Sequence, residues 1–191
     1  MNTKKITLTI VFAALTVALN PALSRIGIPA PYAPFLIYGI WEIPIVAAFL
    51  LIGYRSGIAI SILNSLALLA LYPGQLPMGP FYNLAAILSM LAGVFVAQKL
   101  GSVGSLKDKH AAIIVTVATA FGILFREIVM TAINYVTLQQ SYPFGYNMSE
   151  IAVLGFLPLG ALFNGTVVLY TVPIAYTLVK TIQKSSQLNL N

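Results

Sequence analysis

The residues with the chemistry to act on something are few, and they stand in apolar surroundings. Arg126 and Glu127 interrupt a long apolar run. Glu127, Thr131 and Asn134 follow one another at the i, i+4, i+7 spacing that places three side chains on one helix face. Arg126 is turned from that face by about 100°. Neighbours in sequence pair poorly on a helix, so Arg126 and Glu127 each need partners on other helices. Polar groups inside an apolar span usually face the interior of a bundle. They have two uses there: an ion pair or hydrogen bond that fixes packing, or contact with a substrate. Both stay open for Arg126 and Glu127, while Asn134 is read as a substrate contact. Trp41, Glu42, Tyr82, Asn83 and Asn164 add aromatic, acidic and amide groups on other apolar runs, and Asn64 shares a face with Ser61 and Ser65. Trp and Tyr at a membrane boundary often act only as anchors. That reading is taken for Tyr38, and both readings stand for Trp41.

Catalytic arrangements are missing. The chain holds no Gly-x-x-x-x-Gly-Lys-Ser/Thr phosphate loop, no His-Glu-x-x-His and no Gly-x-Ser-x-Gly. With no cysteine and one histidine, His110, it has no disulfide framework, no thiolate metal site and no multi-histidine site. We therefore expect no catalytic residue, no metal and no cofactor. Only four acidic residues occur, so an ion-coupled carrier would have to rely on Glu127 as its intramembrane carboxylate. Nor do the two halves show the internal repeat of many secondary transporters.

These side chains must be positioned by membrane helices. Charged residues make up 7% of the 191-residue chain and hydrophobic ones 59%, against about 25% charged in soluble domains. We expect an all-α, polytopic bundle of six transmembrane helices in a single membrane domain, 1–191. The spans fall at about 5–20, 38–53, 57–72, 79–98, 111–139 and 152–180. The second and third are short and meet at Gly53-Tyr54-Arg55-Ser56-Gly57, read as a tight turn, with one re-entrant hairpin as the alternative. With a cytoplasmic amino terminus, Lys4, Lys5, Arg55, Lys99, Lys107, Lys109, Lys180 and Lys184 fall inside and only Arg25 outside. Eight against one places both termini in the cytoplasm of a plasma-membrane protein. The net charge of +6 is thereby explained by orientation, and no nucleic-acid partner is implied. Lys4 and Lys5 before an apolar run also fit a cleaved signal peptide, but Asn20-Pro21 is a poor cleavage site, so a retained helix is preferred.

The outer side is the elaborate one. Residues 21–37 carry Pro21, Pro29, Pro31 and Pro34 among Ile26, Ile28, Tyr32, Phe35 and Leu36. Four prolines argue against regular helix and for a stiff, extended path. The segments 72–80 and 140–150 also join aromatics to Pro or Gly. Beneath these loops, Trp41, Glu42, Asn83, Asn134 and Tyr135 all fall in the outer half, as the walls and amides of a small-molecule site would. On the first span, Ala14 and Ala18 leave a smooth face for another helix.

The chain resembles the substrate-binding S component of an energy-coupling factor (ECF) vitamin transporter. The resemblance covers nearly the whole chain: six spans, cytoplasmic ends and a long outer loop after the first span. Ala14-Leu-Thr-Val-Ala18 is similar to the family's alanine docking motif, and Ile40-Trp-Glu-Ile-Pro44 through Gly53-Tyr-Arg-Ser-Gly57 to its loop-to-second-helix region. Asn64 stands where many members carry an asparagine. Met78-Gly-Pro-Phe-Tyr-Asn83 and Phe125-Arg126 with Met130 and Asn134-Tyr135 resemble the riboflavin type. The resemblance implies a vitamin bound from outside and covered by the 21–37 loop. It also implies delivery by toppling in the lipid bilayer on a transmembrane coupling subunit driven by two cytoplasmic ATPases. Two alternatives remain: a self-sufficient ion-coupled secondary transporter or channel, and an intramembrane enzyme or structural subunit.

Overall fold

The computed structural model describes residues 3–24, 26–71, 76–100 and 111–186. Arg25, Lys107, Lys109 and His110, named above, lie outside the described residues.

The chain runs α1 (Thr3–Leu19), α2 (Pro21–Ser24), β1 (Ile28–Ala30), β2 (Ala33–Tyr38), α3 (Glu42–Leu51), α4 (Tyr54–Leu71), α5 (Gly79–Leu100), α6 (Ala111–Thr137) and α7 (Glu150–Ser186). The expected six-helix, all-α membrane bundle is present, with one helical turn and a β-hairpin added after α1. By length and composition, α4, α5, α6 and α7 can each cross a membrane. Their exposed faces are apolar at helical spacing, as in Ile58, Ile62, Leu66 and Leu69 of α4 or Ile113, Val117, Leu124 and Ile128 of α6. Water would disfavour such faces and lipid would not.

The ten residues of α3 rise only about 15 Å, half a hydrocarbon core. Every residue from Glu42 to Phe49 is buried. A helix that is apolar all round belongs inside a protein, and α3 packs against α1, α4, α5 and α7. Ile45, Val46, Ile60, Ile87, Met90, Val94, Val168 and Val172 form the centre of the core.

The turn between α3 and α4 is tighter than the five-residue stretch expected from sequence. Gly53 alone adopts a left-handed φ of 129°, and Tyr54, Arg55 and Gly57 already belong to α4. Gly57 serves packing instead: a Cβ there would stand 2.7 Å from that of Phe49. Likewise a Cβ on Gly93 of α5 would collide with the Phe121 carbonyl of α6.

The proline-rich segment is extended over β1 and β2, as expected, but it opens with a helical turn and folds back on itself as a hairpin. Pro21 opens a helical turn, where its missing N–H costs nothing, and the Asn20 side chain accepts a hydrogen bond from Ala22 N–H at 3.1 Å. β1 and β2 then pair antiparallel, with Ile28 opposite Tyr38 and Pro29 opposite Ile37. Pro is tolerated because a two-stranded ribbon has only edge strands. Tyr32 and Tyr38 share a hydrogen bond between their hydroxyls. Desolvation, then that bond, pushes the Tyr32 pKa up to about 12.

The hairpin marks one end of the bundle. Phe35 and Tyr38 meet Phe156 and Phe163 of α7 there, and Tyr82 of α5 donates to the Phe144 carbonyl in the α6–α7 loop at 2.5 Å. At the opposite end Tyr54 meets Phe95 and Thr9 bonds Ser56. Lys4, Lys5, Arg55, Lys99, Lys180 and Lys184 all belong to this second end.

Substituting Gly93→Ala should destabilise the α5–α6 contact by roughly 1–3 kcal/mol. Gly155→Ala, whose Cβ meets nothing within 4 Å, should be neutral or slightly stabilising. Thermal unfolding in detergent compares the two, and equal midpoints would refute the close approach.

Candidate functional site

Arg126 finds its partners on other helices, as its sequence neighbourhood required. Its Nη1 donates to Glu42 Oε2 at 2.5 Å and its Nη2 to Glu42 Oε1 at 3.1 Å, a bidentate pair. Its Nε donates to Asn164 Oδ1 at 2.9 Å. The Asn164 amide nitrogen donates to the Gly160 carbonyl at 3.0 Å. Arg126, Glu42 and Asn164 are 4%, 3% and 6% exposed. Of the two uses open to Arg126, this geometry serves packing: the triad ties α3, α6 and α7 together and its groups satisfy one another.

The triad also fixes the root of the hairpin. Glu42 opens α3, four residues after β2 ends at Tyr38. Between them, the Gly39 carbonyl accepts from Tyr170 Oη of α7 at 2.6 Å. A Cβ on Gly39 would stand 2.7 Å from Pro21 and 3.0 Å from Trp41, so only glycine fits. Trp41 is buried at this root. Tyr38, read from sequence as an interface anchor, instead stacks on Phe163 at 4.8 Å and meets Tyr170 edge-on. Phe163 and Tyr170 carried no sequence signal that set them apart from other aromatics of an apolar run.

Glu127 and Asn134 turn toward α7, and Thr131, between them on the same helix face, is half-buried. A Cβ on Gly165 would stand 3.2 Å from Glu127 Oε1, and one on Gly160 would stand 3.5 Å from Asn134 Nδ2. Two glycines thus make room for two polar side chains in the α6–α7 seam. Glu127 Oε1 is buried and has no hydrogen-bond partner.

Asn83 lies on the stripe of α5 that continues as Ile87, Met90, Val94 and Ala97, all buried, yet it is itself exposed. The inward face of α5 therefore loses its cover at the hairpin end. Asn134 continues the inward face of α6 beyond Arg126 and Met130 in the same way and is half-buried. Tyr82 is engaged by the α6–α7 loop, and Tyr135 donates to Glu150 at 2.8 Å. On α4, Asn64 accepts from Asn20 at 3.3 Å, Ser61 bonds the Gly57 carbonyl and Ser65 the Pro80 carbonyl, so this face serves packing. On α1, Ala14 and Ala18 are exposed beside Ile10, Val11 and Leu15. No cluster of metal-ligating side chains occurs among the described residues.

No protein-family model matches the chain, and no curated protein matches it. Among solved structures, it is similar to the S component of a bacterial ECF transporter. The TM-score is 0.72 at 23% identity, over 96% of this chain and 98% of that one. The chain therefore has the fold of that S component along nearly its whole length.

Breaking the buried pair should cost roughly 3–5 kcal/mol, because a lone charge remains inside. Glu42→Gln and Arg126→Met should each lower the unfolding midpoint strongly, while joint Glu42→Met and Arg126→Met should recover most of the loss. A double variant as unstable as the sum of the singles would contradict a coupled pair.

Proposed function

We propose that the chain is the substrate-binding subunit of an ECF-type importer, and not an enzyme. The observation that carries this reading is the end-to-end fold likeness to an S component. It is supported by the hairpin held on α7 at the end where the inward faces of α5 and α6 open. In this reading a vitamin enters at the hairpin end, meets Asn83, Asn134, Thr131 and the Trp41 root, and is covered by the hairpin. The buried triad of Arg126, Glu42 and Asn164 forms the floor. Riboflavin is the first candidate, on the resemblance of Met78–Asn83 and of Phe125–Tyr135 to that type.

The exposed Ala14 and Ala18 face of α1 is the proposed dock for a transmembrane coupling subunit powered by two cytoplasmic ATPases. All six described lysines and arginines outside the core stand at the end away from the hairpin. The positive-inside rule then puts that end, with both termini, in the cytoplasm and the hairpin outside. Ion-coupled transport by the chain alone is the second reading, favoured by the unpaired Glu127 Oε1.

Riboflavin should bind the purified, detergent-solubilised chain with no ion gradient, and Asn134→Ala should weaken binding by about tenfold, the value of one buried hydrogen bond. Calorimetry or flavin fluorescence measures both. Ala14→Leu with Ala18→Leu should leave binding intact and abolish co-purification with the coupling subunit. Uptake into liposomes by the chain alone, lost in Glu127→Gln, would favour the second reading instead.

A further inference from the structure

The hairpin half of the bundle holds three of the four acidic residues, Glu42, Glu127 and Glu150. Its one basic residue among those described is Arg126. That guanidinium is committed: two nitrogens grip Glu42 and the third bonds Asn164, all three side chains nine-tenths or more buried. Glu127 Oε1 is buried in the α6–α7 seam with no hydrogen-bond partner, and Glu150 accepts from Tyr135. The six described basic residues outside the core are at the far end of the bundle.

Resting on the binding reading above, we infer that the site rejects anions and takes an uncharged or cationic ligand rich in hydrogen-bond donors, with Glu42 as the specificity-determining residue. The mechanism is the sequestering of Arg126. An anion entering a low-dielectric site needs a cation or several N–H donors to replace its water. Among the described residues, the one cation of the hairpin half is already neutralised, and its departure from Glu42 would leave that carboxylate buried and unpaired. The Glu127 oxygen offers an acceptor to a ligand N–H, O–H or cationic group. The amides of Asn83 and Asn134 are indifferent to ligand charge, since each both donates and accepts.

The test uses matched pairs that differ in charge: riboflavin against riboflavin 5′-phosphate, nicotinamide against nicotinate, and biotin amide against biotin. Each is titrated against the full-length chain in detergent at pH 7.5. The member without the anionic group of any pair that binds should bind tighter by roughly a hundredfold, the scale set by an uncompensated buried charge. Equal or tighter binding of the anion would overturn the inference while leaving the binding reading intact. Failure of all six to bind would sink both together.

Glu42→Gln supplies the second arm. It frees Arg126, so discrimination should fall to about tenfold or less, through tighter anion binding. Joint Glu42→Met and Arg126→Met, which removes the cation too, should keep the discrimination of the native chain. Should Glu42→Gln fail to fold, the double variant decides, and anion binding by it as tight as that of the uncharged partner would refute the assignment. A purely structural role for Glu42 would lower affinity for both members of a pair equally, and that too would refute it.

Discussion

A buried arginine and a buried glutamate hold this fold in register. Arg126 and Glu42 are separated by 84 positions, and neither charge can remain inside a membrane bundle without the other. Their pairing brings the start of α3 against the middle of α6, and Asn164 adds α7 to the same knot. The hairpin is continuous with α3, so its root is fixed by the same contact. Two further bonds act in sympathy: Tyr170 holds the Gly39 carbonyl, and Tyr38 stacks on Phe163. Further along the hairpin, Phe35 meets Phe156 of α7, and Ala30 and Ala33, flanking its turn, are buried. The hairpin is thus fixed at its root and also packed near its turn.

Close approach is the second constraint. Gly93 lets α5 meet the Phe121 backbone, Gly57 lets α4 meet Phe49, and Gly160 and Gly165 make room for Asn134 and Glu127. In lipid, where apolar burial gives little drive for helix association, such contacts and interhelical hydrogen bonds supply the packing. The short α3 lies at the centre and the longer helices enclose it. That arrangement lets ten residues, too few to cross the hydrocarbon core comfortably, organise the other five helices.

The apolar runs made the helices legible, and the span read at about 38–53 stood out as short, though that its helix is only Glu42–Leu51 came from the structure. The need of Arg126 for a distant partner followed from helix geometry and membrane cost, but the identity of Glu42 as that partner did not, because pairing across 84 residues leaves no local pattern. The hairpin was hidden by its own prolines: Pro29 and Pro34 argue against strands in general and are harmless in a two-stranded ribbon. Asn164 looked like a ligand contact because an asparagine inside a span must bond something, and sequence cannot say whether that is a ligand or an arginine. Asn83 and Asn134 were singled out for their level in the bundle. Their place on inward faces that open at the hairpin end became visible only with the helices assembled.

The central claim is that ligand is captured at the hairpin end above a fixed root. Hydrogen exchange on the purified chain, with and without saturating ligand, tests it most directly. Amides of residues 39–46 should exchange slowly in both states, while those of the hairpin and of the outer ends of α5 and α6 should become protected only when ligand is present. Protection concentrated instead around Gly53 and the lysine-bearing end, or a root that exchanges as fast as the hairpin tip, would contradict the account.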